Sequence, residues 1–68
     1  LALQHPRAAV EPLRKAIRID PDYFEAHFVL GTALRQLGRS PEAANEQKIA
    51  LDIQEKRRAV AIKKNESQ

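Results

Sequence analysis

A set of residues recurs at a fixed separation of 34 positions, and this spacing limits the possible folds more than any other feature. Leu3, Ala9, Ala16 and Ile19 return as Leu37, Ala43, Ala50 and Ile53, while Arg14 and Ile17 return conservatively as Lys48 and Leu51. A period between roughly 20 and 50 residues marks stacked supersecondary units, none of which can bury its apolar face alone. Units of that kind usually bind partners and rarely do chemistry.

Composition points to helices. Ala, Leu, Arg, Glu, Lys and Gln fill the chain, with two Gly and few β-branched residues, a mixture that favours the helix over most of its length. No stretch alternates apolar and polar residues as a half-buried strand would. The expected fold class is all-α. A chain of 68 residues makes one domain with a thin core.

The same residues exclude several chemistries. There is no cysteine, hence no disulfide, no thiolate metal ligand and no thiol nucleophile. His5 and His27 lie too far apart in sequence to suggest a metal pair. No glycine-rich phosphate loop, G-x-S-x-G or H-E-x-x-H occurs, and each of those motifs has a mechanical basis that scattered residues do not supply. No catalytic residue, metal ligand or cofactor is expected. No apolar run approaches the roughly 18 residues of a membrane span, and residues 1–5 lack the basic start and apolar stretch of a signal peptide. A soluble chain is expected, of undetermined compartment. Without an initiator Met it reads as a piece of a longer protein. Its formal charge is +3, with the excess near the end at Lys56, Arg57, Arg58, Lys63 and Lys64.

Breakers divide the chain at Asp20-Pro21-Asp22 and at Gly38-Arg39-Ser40-Pro41. The residue before a proline avoids the helical region, so the first helix stops near Ile19. Asp22 is placed to cap the second, with Glu25 reaching back as in a capping box. Gly38 suits the left-handed residue that ends a helix, and Ser40 a cap followed by Pro41 at the first position. These signals predict helices of about 6–19, 22–37 and 41–63. Pro12, inside the first, lacks an N–H and crowds the Ala8 carbonyl, which predicts a kink or a late effective start.

On the second helix, Phe24, His27, Leu30, Gly31, Leu34 and Leu37 share one side, bordered by Ala26 and Ala33, and this side is expected to pack inward. Glu25, Phe28, Val29, Thr32, Arg35 and Gln36 share the other and are expected to face solvent or a partner. On the third, Ala43, Ala50 and Ile53 continue the packing stripe. Past Gln54 the apolar pattern thins to Val60 and Ile62 among charges, so the helix is expected to project beyond the packed body, with residues 65–68 frayed.

These residues resemble the tetratricopeptide repeat, a 34-residue helix–turn–helix with the pattern W-x2-L-G-x2-Y, two small residues and a closing Pro. Leu30-Gly31 stands at the Leu-Gly place and Leu34 at the Tyr place; Ala43 and Ala50 match the small residues of the second helix. In the preceding half-unit, Ala9, Leu13, Ala16 and Pro21 match the small, large, small and proline places. The resemblance covers about residues 3–54. His27 departs from the usual Trp, Gln47 from an aromatic, and Glu55 from Pro.

The resemblance implies antiparallel hairpins of an α-solenoid. Residues 1–20 would be the second helix of a preceding repeat, 21–54 a whole repeat, and 55–68 a C-terminal helical extension. It implies packing through Ala9, Leu13, Ala16, Leu30, Gly31, Leu34, Ala43 and Ala50, and a groove for a protein or peptide partner at Glu25, Phe28, Thr32, Arg35 and Gln36. The expected function is a non-catalytic interaction scaffold; the alternatives are self-assembly, or a basic last helix binding nucleic acid or anionic membrane. Nucleic acid is disfavoured because no aromatic residue lies among the late cations for base stacking. With fewer than three repeats, exposed apolar surface is expected at Leu1, Leu3, Val10 and Leu13, and at Ile49 and Ile53, together with homo-oligomerisation.

Overall fold

The computed structural model describes residues 3–66, with side chains described for residues 3–60. Three helices follow one another: α1 (Pro6–Ile19), α2 (Phe24–Gln36) and α3 (Ser40–Glu66). The described residues contain no strand. α2 is the central element, packed on α1 along one side and on α3 along the other.

The ends of the helices follow the local chemistry closely. α1 opens with Pro6, whose missing N–H is one that the first turn leaves unpaired in any case. His5 takes the cap position and accepts the Ala9 N–H on its carbonyl at 3.2 Å. α1 then runs unbroken through Pro12. Pro12 and Ala8 are both exposed, so the carbonyl deprived of its usual donor lies on the wet side. The turn after α1 is closed by Asp20: its carbonyl accepts the Tyr23 N–H at 3.1 Å and its side chain accepts the Asp22 N–H at 3.2 Å. This corrects the expected capping box. Asp22 is held in the turn, α2 begins two residues later, and its cap residue Tyr23 makes no side-chain capping bond.

α2 ends as expected at Gly38, whose φ of 80° lies in the left-handed region. Gly38 N–H donates to Arg35 O at 3.0 Å and Arg39 N–H to Leu34 O at 2.9 Å, the paired bonds of a Schellman motif. α3 starts one residue earlier than expected. Arg39 takes the place before it, its carbonyl accepting the Ala43 N–H at 3.0 Å and its guanidinium pairing with Glu42 at 2.7 and 3.1 Å. α3 also continues to Glu66, three residues further than expected; residues 67 and 68 lie outside the described residues.

The core is small. Val10, Leu30, Ala33, Leu34 and Ala43 form its centre, with Leu3, Leu13, Ile17 and Leu37 packed at its margin. Two of the expected exposed positions are therefore covered: Val10 lies in the core and Ile53 is buried. Leu3, Leu13 and Ile49 are half-buried, and Leu1 lies outside the described residues. The segment before α1 is tied to the end of α2 through Gln36, whose Oε1 accepts the Leu3 N–H at 2.7 Å while Nε2 donates to Leu3 O at 2.8 Å.

Helix lengths explain the outline of 46 × 22 × 18 Å. At about 1.5 Å per residue, α3 is roughly twice as long as α1 or α2. Among the side chains described, its last buried residue is Ile53, and Gln54 to Val60 are all exposed. The expected projection of α3 beyond the body is present.

Candidate functional site: the faces of α2 and the open ends of the stack

Gly31 sets how closely α2 and α3 approach. A Cβ placed there would lie 3.1 Å from Gln47 Cγ and 3.3 Å from the Ala43 carbonyl oxygen. Beside it, Leu30, Leu34, Ala43 and Ala50 are all buried, as the small-and-large pattern requires. Ala9, Leu13 and Ala16 on α1 are only half-buried.

That difference between α1 and α3 has a simple source. Ala9, Ala16 and Ile19 correspond, 34 residues on, to Ala43, Ala50 and Ile53. The α3 copies face α2 and are covered. The α1 copies are less covered: Ala9 and Ala16 are half-buried, and Ile19 is 78% exposed where Ile53 is 6% exposed. The converse holds at Ile17, packed against the core by α2. Its counterpart Leu51 has no helix over it and is 58% exposed. Each end of the stack thus leaves one apolar stripe open.

The groove expected on α2 is divided. Glu25, Phe28, Arg35 and Gln36 are exposed, but they do not share one surface. Phe28 stacks on Phe24, ring centroids 6.1 Å apart, and lines a cleft of about 190 Å³ with Phe24, Gln47, Ala50, Leu51 and Gln54. Glu25 instead borders a second cleft of about 210 Å³ on the α1 side, with Leu13, Ala16, Tyr23, Ala26 and Val29. Thr32 is a correction: it is 8% exposed, and its hydroxyl donates to the Phe28 carbonyl within the helix at 3.2 Å. Residues of α2 that a helical wheel turns outward are covered when helices flank it on both sides. Ala26 and Ala33, expected only to border the packed side, are buried for the same reason. Gln36 is exposed yet occupied at both ends of its carboxamide by Leu3.

The contribution of α3 to the Phe28 cleft, through Gln47, Leu51 and Gln54, was not part of the expected groove. The 34-residue offset holds the signal, because it maps Leu13 and Ile17, which pack at the margin of the core, onto Gln47 and Leu51.

His27, at the place of the usual Trp, is buried and engaged at both ring nitrogens. Nε2 donates to the Pro21 carbonyl at 2.7 Å and Nδ1 lies 2.8 Å from Glu46 Oε1. It ties the α1–α2 turn to α3 through α2. Among the described residues no buried side-chain polar atom lacks a partner, and no group of three His, Asp or Glu residues is placed to hold a metal ion. Nor, among them, is any helix long and apolar enough to cross a membrane.

Three helices in an up–down–up order, a glycine at the helix contact and small residues along the packing stripe are the features of a helical-repeat hairpin. No curated protein and no solved structure matches the chain significantly. The family model of the TPR repeat matches residues 7–38, from the first turn of α1 to the glycine that ends α2. The match supports a TPR-family fragment over those residues, and the helical repeats of that family serve in general as protein-interaction modules.

Proposed function

We propose that the chain is a non-catalytic scaffold for protein–protein contact, holding the exposed side of α2 and the adjoining edge of α3 in a fixed arrangement for a protein or peptide partner. The observation that carries this reading is Phe28. It is 44% exposed, on the central helix of a tightly packed body, beside a cleft with an apolar edge at Leu51. Aromatic side chains supply much of the energy of such contacts, because they cover large areas with few rotatable bonds. Arg35, one end of the same helix face, offers a planar donor fork for a partner carboxylate. Thr32 and Gln36 are not included, since one is buried and the other is tied to Leu3.

In this reading residues 1–20 are the second helix of a preceding repeat, 21–54 a complete repeat and 55–68 a helical extension. The uncovered copy of the packing stripe on α1 supports that division. The test is selection of peptides against the chain from a display library, followed by mapping with amide chemical shifts. Shifts centred on Phe28 and Arg35, and loss of binding in Phe28→Ala, are expected. Selected peptides that map to neither residue and bind Phe28→Ala normally would sink the reading.

A second reading, self-assembly, draws on the exposure of Ile19 and Leu51 at opposite ends of the stack. Sedimentation across a range of concentrations decides it. Mass that grows with concentration and falls back in Leu51→Glu supports self-assembly; a monomer throughout removes it.

A further inference from the structure

The packing stripe of α3 outlasts the helix it packs against. Glu46 holds His27, and Ala50 and Ile53 are buried. At 100° per residue, Lys56, Arg57 and Val60 fall within about 60° of Ile53 around the helix, so they extend the same stripe. α2 begins only at Phe24, and no other helix among the described residues packs on α3. What meets it is the α1–α2 turn, where Arg57 Nη2 donates to the Asp22 carbonyl at 3.2 Å. Asp22, Ile53, Lys56, Arg57 and Val60 line a cleft of about 320 Å³. Val60, which contributes nothing to the body, is 65% exposed at its outer end.

Charge selects the occupant. The cleft sets two cations, Lys56 and Arg57, against one carboxylate, Asp22, around the aliphatic Ile53 and Val60, and Arg58 adds a further cation beside it on the helix. A second copy would set Lys56 and Arg57 against their own equivalents, a like-charge arrangement that disfavours the wrong partner. A nucleic acid would meet no aromatic ring for stacking. An anionic membrane calls for a broad apolar face, whereas Leu51 and Ile53 lie about 160° apart around α3, on opposite sides of it.

We propose that Lys56, Arg57 and Val60, continuing the face that α3 turns toward α2, dock a short acidic amphipathic helix of a partner protein. Its aliphatic side chains rest on Ile53 and Val60, and its carboxylates meet Lys56 and Arg57. Burial of the apolar contacts gives the pairs a drier setting than an open surface would, which is where charge-assisted hydrogen bonds gain strength. The surface is separate from the Phe28 cleft and does not depend on it.

The experiment uses the 68-residue chain and a labelled synthetic helical peptide with Leu along one stripe and Glu beside it, followed by fluorescence anisotropy. The comparison probes are the same peptide with Gln for Glu, the same peptide with Ser for Leu, a single-stranded oligonucleotide, and vesicles of phosphatidylcholine with phosphatidylserine. Binding of the Leu/Glu peptide alone is expected, weakened ~10-fold or more in Val60→Gln and in the Lys56→Glu, Arg57→Glu double variant, and unchanged in Lys15→Glu. All these positions are exposed, so far-UV circular dichroism should match the parent chain. Equal binding of the Ser peptide, of the oligonucleotide or of the vesicles, an unaffected Val60→Gln variant, or no peptide binding at all would overturn the proposal.

Discussion

His27 and Glu46 meet at 2.8 Å across the α2–α3 contact, and the other nitrogen of the same ring donates to Pro21 O at 2.7 Å. One buried side chain thus joins three consecutive parts of the chain. Removing it leaves a cavity and an unpaired carbonyl, each of which is costly.

His27→Ala is therefore expected to lower stability by about 2–4 kcal/mol, from the lost packing and the lost hydrogen bonds together. A chain of this size has only about 3–10 kcal/mol in all, so the variant lies close to unfolding. Glu46→Gln can donate from its amide to Nδ1 of a neutral ring that still donates at Nε2, so it should lose less than Glu46→Ala. Urea denaturation followed by circular dichroism measures all three. Equal losses for the two Glu46 variants would contradict the geometry.

Gly31 is predicted to tolerate one carbon and no more. Alanine gains about 1 kcal/mol in helix propensity. Against this, its Cβ presses on the flexible Gln47 side chain and on the Ala43 carbonyl oxygen at 3.3 Å. The two effects are of similar size, so Gly31→Ala should change stability by less than about 1 kcal/mol. Gly31→Val adds two carbons beyond those of alanine that the α3 backbone must move to admit, and should cost more than about 2 kcal/mol. Thermal unfolding of both variants would show whether the contact is as close as described.

Gly38 makes the opposite case. A Cβ there meets nothing within 4 Å, but φ is +80°. The penalty is purely conformational, about 1–2 kcal/mol for an L-residue in the left-handed region. Gly38→Ala is expected to lose that amount, and Gly38→Asn clearly less, because Asn enters this region more easily. A Gly38→Ala variant as stable as the parent would remove the role assigned to the Schellman motif.

Phe28 and Leu30 should separate surface from core. Leu30 is among the largest fully buried side chains, and its truncation to Ala in a packed site costs about 2–5 kcal/mol. Phe28 is half-exposed and touches Phe24, so Phe28→Ala should cost only about 1 kcal/mol, the scale of one aromatic pair. Chemical denaturation midpoints decide between them. A Phe28→Ala loss as large as that of Leu30→Ala would place the ring inside the body and leave it unavailable to a partner.

Much of the fold was legible because its signals are local. Pro21 and Pro41 each act on the one or two residues beside them, and Gly38 needs only its own freedom at φ. The 34-residue recurrence of Ala9 and Ala16 as Ala43 and Ala50 pointed to stacked helices and to the resemblance to the TPR repeat. The groove was less legible. A helical wheel places Thr32 beside Phe28 but does not register that helices flank α2 on both sides, so a residue turned outward on the wheel is covered in the body. The capping box at Asp22 failed for a similar reason: Asp20 competes for the same turn and closes it first.

From the sequence alone came the helices, their breaks, the contact glycine and the repeat, since each depends on residues within a turn of one another or on a simple spacing. The tertiary structure alone decided which copy of each repeated residue is covered. Ile19 and Ile53 are the same amino acid at the same repeat position, yet one faces water and the other is buried, because the elements packed around α3 differ from those around α1 and the sequence spacing does not state which neighbours each copy receives.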